Sequence, residues 1–364
     1  MLDFTSALYL GMRHAARALR PWQALTTGRP AALADPPGAG AVAQRLAELV
    51  GCEQGILAPS TLHLFWDLFG MLDARRWAVY VDNGAYPIAR WGVERAAGRG
   101  VPVRLFPHHN GDALRQMLRD TRGRTPLVVT DGFCPSCGQL APLVAYQQAV
   151  QEHSGWMVLD DTQALGVLGA GPRAGAPYGR GGGGTLRCSG VRGPRVLLVA
   201  SLAKGFGAPV ALLAGGAAAI KRFEARSDTR VHCSPPSAAV VAAAARALST
   251  NAVVGEALRV RLWRLVQRLP ANLAAAGLGA EGGVFPVQTL ALAPTLDVRA
   301  LHHRLLTMGV RTVLRREHGG EGARISLLIT TQHTPQQIDR ATEAIAQAAS
   351  YACLEPERGD RHER

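Results

Sequence analysis

Lysine is almost absent from this 364-residue chain: Lys204 and Lys221 are the only two, and the other 38 of its 40 basic residues are arginine. Aromatic residues make up only 5%, and acids are outnumbered 27 to 40, which leaves a formal net charge of +13. The basic residues are scattered singly and are not interleaved with aromatics, which argues against a nucleic-acid partner. The longest apolar run, 208–220, is broken by Pro209, Gly215 and Gly216 and is shorter than the ~20 residues of a membrane helix, so no membrane span is expected. The opening MLDFTSALYLGMRH places Asp3 before a short apolar stretch and has no basic leader region. It does not read as a secretory signal, and the cytoplasm is the expected location. The six cysteines, Cys52, Cys134, Cys137, Cys188, Cys233 and Cys353, lack the spacing of a disulfide framework. Cys134 and Cys137 form one CxxC around Pro135 with no second pair, so a zinc or redox role is the less favoured reading.

What is present is core material. With 48% hydrophobic and 18% charged residues the chain reads as globular, with length for a large domain and a smaller one. Apolar runs at 77–81, 102–106, 126–129, 156–159 and 196–200 alternate with helical stretches, the pattern of a mostly parallel sheet in an α/β fold. The expected organisation is an N-terminal arm (1–36), a large domain (37–245), a small C-terminal α/β domain (246–352) and a charged tail (353–364). A long helix over 238–269 would link the two domains, and 284–292, 298–308 and 325–330 would supply elements of the small one. The segment 169–194, with four consecutive glycines at 181–184, reads as a mobile loop near the site that carries Tyr178 and packs no core.

The two lysines differ in context. A solvated surface charge accepts lysine or arginine alike, whereas an amine nucleophile cannot become a guanidinium. Lys221 follows a small-residue run and reads as a surface charge on a helical turn. Lys204 lies in SLAKGFG after a β-rich run, between glycines that let backbone approach a ligand; an incidental loop lysine is the alternative. The buried-strand run 155–159 ends in Asp160 and Asp161. A carboxylate at the carboxyl end of a parallel strand needs a cationic partner, for which a protonated ring nitrogen would serve. A capping or turn aspartate is the other reading.

Five segments, in order, resemble the α-oxoamine synthase family of pyridoxal-phosphate enzymes, which have the aspartate-aminotransferase fold (fold type I). DFTSALYLGM resembles the family's FxSNDYLGL, VTDGFCPSCGQLAPL its EGxFSMDGDxAPL, and VLDDTQALGVLG its VDDAHxxGVxG. SLAKGFG resembles TLxKxFG, and ARISLLITTQHTPQQID resembles RLRxxLTAxHTxxDID. The resemblance implies pyridoxal 5'-phosphate as cofactor, bound through its aldehyde by Lys204, which would also move protons at the substrate carbon. It implies that Asp160 pairs with the ring nitrogen and that Ser201, Ser60 and Thr61 hold the phosphate; an ordinary N-cap is the alternative for Ser60 and Thr61. Tyr86 stands where the family stacks a histidine on the ring, and Gln163 where a histidine approaches the phenolic oxygen. His232, in HCSPPS, matches a partner subunit's phosphate contact, and a homodimer is implied. His109 matches a structural turn, and His318 and His333 read as satisfied or solvated side chains.

The departures fall on the substrate side. Ala7 and Ser326 occupy positions where the family binds the amino-acid carboxylate with asparagine and arginine, and Arg324 holds the neighbouring arginine position. The chain starts a few residues before the first match, so an N-terminal segment enclosing acyl-CoA is not expected. The expected activity is acyl transfer from a thioester, on CoA or an acyl-carrier protein, to an amine or amino acid. Transamination or elimination is the second reading, and a non-catalytic binding protein the third.

Overall fold

The computed structural model describes residues 1–121, 123–316 and 322–354; His318 and all but the first two residues of the expected charged tail lie outside them. The chain divides into two compact units. Leu10–Cys134 and Gln139–Arg259 form the larger, and Met1–Tyr9, Pro135–Gly138 and Val260 onward the smaller. This differs from the contiguous segments expected. The arm is split, because Leu2–Asp3 pairs in parallel with Val310–Arg311 of the small unit. The boundary expected at 245/246 falls inside one continuous helix, Ala238–Ala275. Uninterrupted helical periodicity carries no mark of a boundary, and a pairing across some three hundred residues leaves no local signal.

The large unit is built on a seven-stranded sheet of β1 (Gln54–Ala58), β2 (Trp77–Asp82), β3 (Val103–Phe106), β4 (Thr125–Asp131), β5 (Trp156–Asp160), β6 (Val196–Ser201) and β7 (Ala211–Gly215). Its order is β1-β7-β6-β5-β4-β2-β3. The five apolar runs form the parallel strands β2 to β6, while β7 runs antiparallel between β1 and β6. β1 and β7 were not anticipated, since QGILA and ALLAG carry few of the branched or aromatic residues that favour strands. Helices Thr61–Gly70, Leu143–Gln151 and Ala217–Arg226 pack on the sheet. Val79, Val81, Val129, Val158 and Val199 form its core with Phe65 and Phe69 from the first of these helices. Each fully buried aromatic or branched side chain contributes roughly 1.5–3 kcal/mol.

The segment 169–194 is not the coreless loop expected. Tyr178, Leu186 and Val191 are buried, Gly184–Ser189 forms a helix, and paired bridges link Ala170 to Arg180 and Leu165 to Gly183. Asp161, fully buried, anchors it by accepting the N–H of Thr185 at 3.0 Å and its hydroxyl at 2.6 Å. Glycine serves packing here: a Cβ on Gly184 would lie 1.8 Å from Asp161 Oδ2, and one on Gly169 1.9 Å from the Arg180 carbonyl. The buried Arg259 closes the segment by donating to the Gly166 carbonyl at 2.9 Å and to Asn251 Oδ1 at 2.8 Å.

The small unit carries an antiparallel sheet ordered Gly279–Glu281, Val287–Ala291, Ala323–Leu328, Val313–Arg316. Phe4 stacks on His333 at 4.4 Å, and His333 Nε2 meets the Asp3 carbonyl at 2.9 Å, so His333 is a satisfied core side chain. Helix Ala238–Ala275 is long and apolar enough by length and composition alone to cross a membrane, although none was expected. Its positions Val241, Ala244 and Ala247 are buried in the large unit, and Leu262, Val266 and Leu269 in the small one.

Two substitutions separate collision from backbone conformation. Gly181 and Gly184 both have φ near +80°, but a Cβ on Gly181 meets nothing within 4 Å. In urea titrations Gly181→Ala should cost about 1 kcal/mol and Gly184→Ala about 3 kcal/mol or more. Equal losses would refute the packing role of Gly184.

Candidate active site

Three adjacent parallel strands end in aspartate: WAVYVD in Asp82, TPLVVTD in Asp131 and WMVLD in Asp160. Asp131 and Asp160 are register partners, and Asp82 follows Val81, the partner of Val129. All three therefore stand at the carboxyl edge of the sheet, where α/β folds place ligands. At one end of this row β6 ends in Ser201 and leads to Lys204. Ser201 pairs with Ala211 and Ala211 with Ala58, so the β1-to-helix turn carrying Ser60 and Thr61 lies along the same edge.

The sequence-derived residues Lys204, Asp160, Ser201, Ser60, Thr61, Gln163 and Tyr86 thus share one end of one sheet. Asp160 is 8% exposed and accepts the Thr162 N–H at 2.9 Å. Thr162 Oγ1 in turn accepts the Ser201 N–H at 2.9 Å, which ties the aspartate strand to the lysine strand. Burial pushes the Asp160 carboxyl up, opposed by its bonds from Thr162 and by the charge of Lys204. Burial also holds the half-buried Lys204 amine below the ordinary lysine value, against the pull of Asp160 and Asp131. Ser60 precedes helix Thr61–Gly70 but its hydroxyl bonds His63 Nδ1 at 2.9 Å and caps no helix N–H, contrary to the N-cap alternative. Tyr86, 53% exposed, precedes helix Pro87–Gly98, and its N–H donates to Asp131 Oδ1 at 3.2 Å. His232 is exposed at the end of the short helix Asp228–His232.

The far end of the row was not read from the sequence. Asp82, 1% exposed, pairs with His108 Nδ1 at 2.6 Å and accepts from the Gly84 N–H, the His109 N–H and the Tyr146 hydroxyl at 2.7, 3.1 and 3.0 Å. His108 is raised to about 10 by its bond to Asp82 and a further one to Cys134. Burial would raise Asp82, yet the bonds from His108, Gly84 and His109 prevail and lower it. This network fixes the 82–86 turn that delivers Tyr86. The available signal was the apolar run closing in aspartate, repeated three times.

In the small unit, Arg324 pairs with Glu281 through one guanidinium nitrogen, Nη2. Ser326, 1% exposed, is bonded instead by a guanidinium that sequence reading missed. Arg315 on the neighbouring strand donates to Ser326 Oγ and Thr289 Oγ1 at 2.9 Å each, and to Ser136 Oγ at 2.8 Å. Cross-strand neighbours of this kind have no fixed spacing in sequence. Ala7 has no polar side chain, and its carbonyl accepts the Tyr9 N–H at 2.8 Å.

The edge of the large unit fits pyridoxal phosphate. A half-buried amine of lowered pKa suits an aldehyde, a buried carboxylate suits a protonated ring nitrogen, and the Ser201, Ser60 and Thr61 hydroxyls suit a phosphate.

Comparison with known proteins agrees with this geometry. The family model for aminotransferase class I and II matches residues 1–345. The chain is 30% identical over 256 residues to the 8-amino-7-oxononanoate synthase of Alcanivorax borkumensis, a match covering 68% of this chain but only 62% of that enzyme. It is 28% identical over 361 residues to that of Sodalis glossinidius, covering 95% and 88%. The solved structure of Sphingomonas wittichii serine palmitoyltransferase aligns with a TM-score of 0.82 at 18% identity, covering 97% of this chain and 88% of the other. That of 8-amino-7-oxononanoate synthase from Francisella tularensis aligns at 0.73 and 17%, covering 96% and 98%. These likenesses show the aminotransferase-like, fold type I architecture.

The Asp82–His108 pair makes stability depend on pH. The raised His108 contributes fully below its unfolded value of 6.5 and less as pH rises toward about 10. The lowered Asp82 contributes above its unfolded 3.8 and loses that contribution as pH falls through its folded value. In denaturant titrations the stability gap between the native protein and His108→Asn should be widest between these unfolded values and shrink steadily toward pH 10. A gap constant from neutral to alkaline pH would contradict the pairing.

Proposed function

The chain belongs to the aminotransferase class I and II family, and on that premise we propose that it is a pyridoxal-phosphate-dependent acyltransferase of the α-oxoamine synthase type. It joins an amine or amino acid to an acyl group delivered as a thioester on CoA or an acyl-carrier protein. The observation that carries this reading is Lys204, one of two lysines in the chain, following β6 at the same sheet edge as Asp160, where burial holds its amine below the ordinary lysine value. A non-catalytic protein has no need of that arrangement. The basic surface, with its net charge of +13, suits an acidic carrier protein as thioester donor. We place the enzyme in the cytoplasm as a homodimer, the arrangement in which His232 would reach a partner's phosphate site.

Bound pyridoxal phosphate supplies an electron sink for a carbanion next to the substrate nitrogen. The protein's part is to hold the cofactor and move protons. Lys204, whose lowered pKa leaves more of its amine neutral at physiological pH, would hold the cofactor through its aldehyde. The same Nζ, when free, would take and return a proton at the substrate carbon. Asp160 would keep the ring nitrogen protonated, and the Thr162–Ser201 bond ties the aspartate strand to the lysine strand. Ser201, Ser60 and Thr61 would hold the phosphate, Tyr86 would stack on the ring, and Gln163 would be the residue for its phenolic oxygen.

One observation favours a second reading, transamination or elimination on an amine lacking the usual carboxylate. Arg324 is engaged by Glu281, and Ala7 and Ser326 offer no charge at the family's carboxylate positions.

Visible absorption on adding pyridoxal phosphate tests the proposal. A cofactor band should appear, and borohydride should fix it to a peptide containing Lys204. Lys204→Ala should lose the fixed label and about 10²–10⁴-fold of turnover. Label on Lys221 alone, or none, would refute the site. Substrate-dependent spectral change without thioester consumption would select the second reading.

A further inference from the structure

Asp131 occupies the middle of the row, where its Oδ1 accepts the Tyr86 N–H. The titratable groups that act on it come from the neighbouring elements: Asp160 at the end of β5, Asp82 at the end of β2 and Cys134 just beyond β4; Lys204, beyond β6, is in turn favoured as its cation by an ionised Asp131. His108 is committed to Asp82 at 2.6 Å. Three carboxyls therefore share two cations, and ionised carboxylates on adjacent strands, two of them buried, repel one another.

Hydrogen bonding decides where the remaining proton sits. Asp82 receives bonds from Gly84, His109, His108 and Tyr146. Asp160 receives Thr162 and the charge of Lys204. Among the described residues the Asp131 carboxyl receives only the Tyr86 N–H, on Oδ1. Burial and the neighbouring charge of Asp160 push it well above the usual carboxylate range. A neutral acid at this position adds a donor to the site without placing a second negative charge beside Asp160.

We propose that Asp131 is a proton-bearing residue of the site that donates a hydrogen bond from Oδ2 to an oxygen acceptor on the molecule held at Lys204. The inference rests on the pyridoxal-phosphate reading above, and the acceptor belongs either to the cofactor or to the incoming amino acid.

The proton is read without cofactor, by infrared spectroscopy at about pH 8, where Asp161, pushed up to about 7, is mostly ionised. A protonated-carboxyl band that shifts in heavy water should be present in the native protein and absent from Asp131→Asn. Cofactor affinity is then titrated by absorbance. Asp131→Asn keeps a donor and should bind within about threefold of the native protein. Asp131→Ala should bind about tenfold more weakly if the acceptor is on the cofactor. If it is on the amino acid, Asp131→Ala binds cofactor normally, but its spectral response to glycine or L-alanine needs about tenfold more ligand. A native spectrum without the band overturns the proposal, as does an Asp131→Ala variant that matches the native protein in both titrations. Native protein that takes up no pyridoxal phosphate while the band persists faults the functional reading and, with it, the donor role.

Discussion

Setting three carboxyl groups side by side at one edge of a sheet, Asp82 and Asp160 buried and Asp131 half-buried between them, is the constraint on which the site depends. Parallel pairing brings Asp82, Asp131 and Asp160 to the ends of neighbouring strands, and none can be ionised there without compensation. The compensation is distributed: His108 and Tyr146 at one end, Lys204 and Thr162 at the other, and a backbone N–H from the Tyr86 turn in the middle. The same bonds that neutralise the row also position the chemistry. Asp82 shapes the turn delivering Tyr86, and Asp160 is joined through Thr162 to the strand that delivers Lys204.

The lysine loop is held from its other side by backbone packing. Gly205, next to Lys204, lies against the Leu165 carbonyl and Gly166, where a Cβ would come within 2.2 Å of Leu165 O. Gly166 is bonded to Gly182 and to the buried Arg259. The glycine-rich segment is therefore a close-packed support connecting the helix that carries Arg259 to the loop that carries Lys204. Side chains would separate backbones that must nearly touch.

Much of this was legible in the sequence. The five parallel strands, Lys204 and Asp160 followed from apolar runs, from lysine scarcity and from an acid at a strand end. The glycine-rich segment was misread because glycine signals both freedom and close approach, and composition does not separate them. Asp82 and His108 were missed because their partnership joins two strand ends 26 residues apart, and Arg315 because its contact with Ser326 is cross-strand. Asp131 could have been found, since TPLVVTD closes in aspartate just as WMVLD does. Neutralisation within such a row depends on which strands are neighbours, and that order, with β4 between β2 and β5, is a property of the assembled sheet.

Lys204 shares its sheet edge with the acidic row, and burial there lowers its affinity for a proton while the carboxylate of Asp160 opposes that effect. Nitrogen-labelled lysine gives only two side-chain signals in this chain, and Lys221→Arg identifies the one from Lys204. A pH titration of that signal in the cofactor-free protein is therefore the most direct test. The account predicts a Lys204 midpoint below the ordinary lysine value of about 10.4, falling further in Asp160→Asn as the carboxylate that favours the ammonium is removed. A midpoint in the ordinary range, indifferent to Asp160→Asn, would contradict it.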